Sequence, residues 1–107
     1  MSVTGDTIFP PGQRWTSGSF ELSFSASGNL EMRNLLTQRL LWQSGTSGGA
    51  KLAMQGDGNL VIYAADDKAL WASNTDGNPG AVLEVQDDGN LVIYSPQGQP
   101  LWASQSH

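Results

Sequence analysis

The chain has 107 residues, ten acidic side chains against five basic ones, a net charge of −5 and no cysteine. That length suits one domain with a core of its own. The few cations argue against nucleic acid as a partner, the missing cysteine removes any disulfide framework or thiolate metal site, and no stretch approaches the roughly twenty apolar residues of a membrane helix.

The opening, "MSVTGDTIFPPG", has no basic region followed by an apolar run, so no secretory signal is read there. Together with the missing cysteine this predicts a cytoplasmic protein, released, if at all, by a leaderless route. No helical period follows. Thirteen glycines with many Asp, Asn and Ser predict frequent turns instead.

From about residue 20 the chain repeats itself. Gly28-Asn29, Gly58-Asn59 and Gly89-Asn90 place asparagines 30 and 31 positions apart. Each pair is followed by Leu and later by a Leu-Trp: "LWQSGT" from Leu41, "LWASNT" from Leu70, "LWASQS" from Leu101. Within a single domain, 1–107, this predicts three units, at about 20–46, 50–76 and 81–107. The first is the most degenerate, and Trp15 lies in the lead-in before it.

Inside a unit the period is two. "KLAMQ" sets Leu52 and Met54 on one face; "NLVIY" sets Leu60 and Ile62 on one face and Asn59, Val61 and Tyr63 on the other. "GDG" between them predicts a hairpin turn. "AADDKA" and "SPQGQP" predict a second turn before a strand ending in "LWAS". Each unit thus reads as three or four antiparallel strands, with Leu83, Val85, Leu91 and Ile93 inward in the third. One such sheet has a single apolar face. Three around a common axis would bury those faces together as a triangular prism, with Trp42, Trp71 and Trp102 in the core.

The nonapeptides "QGDGNLVIY" and "QDDGNLVIY" fit Gln-x-Asp-x-Asn-x-Val-x-Tyr. This pattern, the thirty-residue repeat, the "LWASNT" tails and the lead-in "GDTIFPPGQRWTSGSFELSF" resemble the bulb-type, or monocot, mannose-binding lectins over essentially the whole chain. The resemblance implies an all-β, β-prism II fold with one potential sugar site per sheet. By position it implies hydrogen-bonding roles for Gln55, Asp57, Asn59 and Tyr63, and for Gln86, Asp88, Asn90 and Tyr94. Val61 and Val92 would offer apolar surface to the ring. In the family, Asp and Asn read the axial 2-hydroxyl of mannose, Gln the 3-hydroxyl and Tyr the 4-hydroxyl. Plant members often dimerise by exchanging C-terminal strands, so "PLWASQSH" is a candidate for homodimerisation, with Leu101 and Trp102 entering a partner's core. Some proteins of this fold bind no sugar and act as inhibitors or toxins through protein contacts, which is the alternative reading.

The residue chemistry suits a hexose independently. Carboxylate accepts, amides donate and accept, and phenol does either. Asn59, Val61 and Tyr63 share a strand face because they are two apart. In the first unit, "SASGNLEMR", Ser25, Ser27, Glu31 and Arg33 replace Gln, Asp, Val and Tyr; only Asn29 remains, while Leu30 and Met32 keep the apolar side. That unit reads as a structural sheet without a mannose site. The polar positions therefore read as serving ligand rather than fold, so that replacing Asn59 and Asn90 by Ala should cost binding and hardly any stability.

Other chemistry is poorly served. Asp66-Asp67 and Asp87-Asp88 could hint at calcium, but the twelve-residue pattern fails: counted from Asp57, Val61 and Lys68 fall at ligand positions. They read as solvated turn charges, and no cofactor or metal is expected. The sole histidine, His107, is the last residue and is expected to fray, leaving no base for a nucleophile. "SGTSGG" precedes a strand and so is no phosphate loop. The chain reads as a binding module and not an enzyme.

Overall fold

The period-two segments fold as strands. The structure is a computed structural model describing residues 2–106, and among these it contains twelve strands and no helix. In chain order they are β1 Ser2–Val3, β2 Thr7–Phe9, β3 Gln13–Ser17, β4 Phe20–Phe24, β5 Leu30–Asn34, β6 Arg39–Gln43, β7 Gly49–Met54, β8 Leu60–Ala64, β9 Ala69–Ala72, β10 Val82–Val85, β11 Leu91–Tyr94 and β12 Pro100–Ala103. His107 lies outside the described residues.

Each repeat makes a three-stranded antiparallel meander, and the lead-in supplies a fourth strand to each. The first sheet runs β3-β4-β5-β6, the second β2-β7-β8-β9 and the third β1-β10-β11-β12. Residues 2–17 therefore visit all three sheets in turn. The sequence pattern identified this segment only as a lead-in, because β1 and β2, of two and three residues, are too short to show a period. The molecule measures 36 × 34 × 17 Å, broad in two directions and thin in the third, as a short prism should be.

The inward faces meet as one core. Leu22, Phe24, Leu30, Met32, Leu52, Met54, Leu60, Ile62, Leu83, Val85, Leu91 and Ile93 are all buried. Each such side chain contributes roughly 1.5–3 kcal/mol by leaving water. Trp42, Trp71 and Trp102 stand opposite Met32, Ile62 and Ile93 and close into a triangle. Their ring centroids are 5.4–5.6 Å apart, with edge-to-face angles of 68–73°. This is the core role expected of them. Trp15 packs edge-on against Phe9, with centroids 4.7 Å apart.

The C-terminal strand is satisfied within the chain. Val92 pairs with Ala103 and Ile93 with Trp102, so β12 completes its own sheet and Trp102 its own triangle.

Candidate functional site

The nonapeptide of the second unit begins just after β7, as the five-residue turn Gln55 to Asn59, and continues into β8. Gln55 N donates to Asn59 O at 2.9 Å, and Gly58 N to Gln55 O at 3.0 Å. Asp57 Oδ1 accepts from Asn59 N at 3.0 Å, a side-chain turn that leaves Asp57 exposed with its second oxygen unpartnered among the described residues. Gly58 has φ +93°, and a Cβ there would stand 2.3 Å from Asn78 O. The equivalent glycines are corners too. A Cβ on Gly28 would meet Gly49 N at 2.1 Å, and one on Gly89 would meet Phe20 Cε1 at 2.6 Å. The first turn thus packs on the start of β7, the second on the connection after its own unit, and the third on the first unit.

The asparagines do something the sequence reading did not foresee. Asn59 Oδ1 accepts from Ser73 Oγ at 3.2 Å and Thr75 N at 3.3 Å. Asn90 Oδ1 accepts from Ser104 Oγ at 3.2 Å and from Gln105 N and Ser106 N at 3.0 and 3.4 Å. Asn29 Oδ1 accepts from Ser44 Oγ, Gly45 N and Thr46 N at 2.9–3.1 Å. The carbonyl of each asparagine therefore latches the tail behind its Trp strand. The tail's hydroxyls finish the job: Thr46, Thr75 and Ser106 donate to the carbonyls of Gly28, Gly58 and Gly89. This corrects the expectation that Asn59 and Asn90 serve ligand and not fold. It also explains why Asn29 survives in the degenerate unit. The signal was present as Ser-x-Thr or Ser-x-Ser recurring fourteen or fifteen residues after each asparagine.

Only the amide nitrogen distinguishes the copies. Asn59 Nδ2 and Asn90 Nδ2 have no partner among the described residues. Asn29 Nδ2 donates to Glu31 Oε2 at 2.9 Å and Gln43 Oε1 at 2.8 Å, and Arg33 pairs with the other Glu31 oxygen at 3.2 Å. In the first sheet Glu31 thus fills the place of the valine and closes the network internally.

In both full motifs the Gln and Tyr side chains are joined by a hydrogen bond. Gln55 Nε2 donates to Tyr63 Oη at 2.5 Å, and Gln86 Nε2 to Tyr94 Oη at 2.5 Å. A phenol that accepts from the amide keeps its own proton to donate outward. All three sheets carry a bulge at the same point: between Ile62 and Tyr63, between Ile93 and Tyr94, and between Met32 and Arg33. The extra residue is Leu70, Leu101 or Leu41, on the strand that pairs with the motif's last residue. Val61 and Val92 are the exception to the expected picture. They are only 3% and 2% exposed. Val61 faces Ala53 and Ala72 across the sheet, with Asn59 and Tyr63 on either side, so the apolar surface it offers is small. The turn carboxylates are engaged: Asp87 accepts from Ser17 Oγ, Asp67 pairs with Lys51, and Asp88 repeats the turn of Asp57.

Each full motif therefore offers a carboxylate oxygen, an amide N–H and a phenol O–H held by Gln. That suits a ligand whose adjacent hydroxyls both donate and accept. Among the described residues no group of three or more His, Asp or Glu could hold a metal ion.

Comparison with known proteins places this arrangement. No protein-family model matches the chain, and no curated protein does. Solved structures match over nearly its full length. The mannose-specific agglutinin of snowdrop, Galanthus nivalis, solved with methyl-α-D-mannoside, is 34% identical with a TM-score of 0.78, covering 99% of this chain and 96% of that one. A monomeric monocot mannose-binding lectin from Gastrodia elata is 32% identical with a TM-score of 0.87, covering 99% and 97%. A lectin of Marasmius oreades is 26% identical with a TM-score of 0.89, covering 98% and 90%. The three antiparallel sheets are the β-prism II fold of these lectins.

Proposed function

The chain belongs to the bulb-type mannose-binding lectins, and from that premise we propose that its second and third sheets each bind one terminal mannose without a metal. Asp57 and Asp88 accept from the sugar, Asn59 and Asn90 donate through Nδ2, and Tyr63 and Tyr94, held by Gln55 and Gln86, complete the set. The observation that carries this reading is the contrast in the asparagine amides. They are unpartnered in the two sheets with the full motif and occupied by Glu31 and Gln43 in the sheet without it.

Every group in these sites also faces water, so each hydrogen bond contributes about 0.5–1.5 kcal/mol net. A monosaccharide should bind at about millimolar strength, roughly −4 kcal/mol. Useful strength comes from several sites engaging one glycan surface. Exchange of β12 between two chains would bring four sites into one particle; light scattering distinguishes that pair from a single chain with two.

Retention on mannose-agarose, released by mannose and not by galactose, tests the reading. Calorimetry with methyl α-D-mannoside should give two sites per chain. A chain that folds but shows neither retention nor heat would favour the protein-contact alternative.

A further inference from the structure

The outer face of the first sheet holds a groove of about 370 Å³, lined in part by Gln13, Arg14, Glu21, Ser23, Ser25 and Arg33. The second sheet has its counterpart, about 250 Å³, beside Gln55 and Tyr63. Strand register matches the two position by position. Arg14 lies opposite Ser23 as Ile8 lies opposite Ala53, and Glu21 opposite Arg33 as Lys51 lies opposite Tyr63. The first sheet has therefore kept the cavity and replaced the apolar Ile8 and Ala53 with polar groups.

Its charge is equally distinctive. Arg14, Arg33 and Arg39, three of the five cations, lie between residues 12 and 48, with only Glu21 and Glu31 of the ten acids. This stretch is locally +1 on a chain of −5. Arg33 is held by Glu31, while Arg14 is exposed and makes no ion pair among the described residues.

We propose that this groove is a third saccharide site, for a sugar unit bearing a carboxylate; it rests on the lectin reading of the fold. Arg14 takes the carboxylate in the planar, two-pronged geometry that guanidinium favours. Glu21 would repel an anion on its side, so it accepts from ring hydroxyls instead. The Arg14–Ser23 row and the Glu21–Arg33 row are two residues apart along the strands, roughly 7 Å, which is about the breadth of one hexose ring. Ser23, on the central strand β4, adds a hydroxyl beside Arg14.

The test uses methyl β-D-glucuronide against methyl β-D-glucoside, which differ only in carboxylate versus hydroxymethyl, with acetate and methyl α-D-mannoside as further probes, read by amide NMR shifts on the intact chain. Glucuronide should shift residues of β3, β4 and β5, at least tenfold more tightly than glucoside or acetate. Arg14→Gln should weaken it at least tenfold and leave mannoside shifts on β8 and β11 unchanged. Equal binding of glucoside, or of acetate alone, overturns the proposal, as does an unaffected Arg14→Gln. Mannoside shifts missing from β8 and β11 while glucuronide binds would instead overturn the mannose sites and leave this one standing.

Discussion

The first sheet and the other two share a scaffold and differ in what they show to solvent. All three keep the corner glycine, the asparagine latch, the inward Leu and the tryptophan. Only the second and third keep Gln, Asp, Val and Tyr. The shared set marks what the prism requires, and the unshared set marks what is free to follow a ligand. Asparagine belongs to both sets, with its oxygen facing the fold and its nitrogen facing out.

The largest effect should come from the shared set. Trp71→Ala would open the tryptophan triangle and leave a void among the three sheets, at a cost of about 3–5 kcal/mol. Trp42→Ala and Trp102→Ala should cost similar amounts, since the three indoles meet at nearly equal distances. Urea unfolding checks this. A much smaller loss at Trp42 would mean that the first sheet contributes less to the core than the geometry indicates.

The asparagines come next. Asn29→Ala, Asn59→Ala and Asn90→Ala each strand two or three donors, for about 1–3 kcal/mol in unfolding free energy. The copies should then part company: mannoside titrations should weaken for Asn59→Ala and Asn90→Ala and stay unchanged for Asn29→Ala. Equal stability of wild type and Asn29→Ala would remove the latch as the reason that residue is kept.

These roles explain what the sequence could reveal. The prism was legible because Leu52, Met54, Leu60 and Ile62 alternate with polar neighbours, and because the pattern recurs three times. The outward cluster was legible because Asn59 and Tyr63 share a strand face. The latch was hidden because it joins Asn59 to Ser73 and Thr75, residues that become neighbours only once β8 and β9 pair. The burial of Val61 was hidden for a similar reason: period two assigns a face, but the cover over that face comes from other strands and the turn. The lead-in strands gain their meaning wholly from the sheets they edge.

Tyr63→Phe and Tyr94→Phe sharpen the comparison without touching the latch. Each removes one O–H, and the Gln partner is half-exposed and can turn to water. The stability cost should be about 0.5–1.5 kcal/mol. Each single variant should leave one calorimetric mannoside site of two, and the double variant none. Full stoichiometry in the double variant would take the phenols out of the site.

The smallest effect is expected where the second and third sheets themselves differ. Lys51 pairs with Asp67 and stands 5.9 Å from the Tyr63 ring centroid. Register sets Val82 in the same place beside Tyr94, so the third sheet holds its Gln–Tyr bridge with no cation there. Lys51→Val therefore makes the second site resemble the third. The ion pair it removes is largely exposed and contributes about 0–1 kcal/mol, so the thermal midpoint should barely move. Mannoside affinity should stay within about a factor of two, because a change below 0.4 kcal/mol is all that the loss of a screened neighbour can impose. A tenfold loss would mean that Lys51 holds the phenol or the sugar directly, and that the two sites, despite one motif, are built differently.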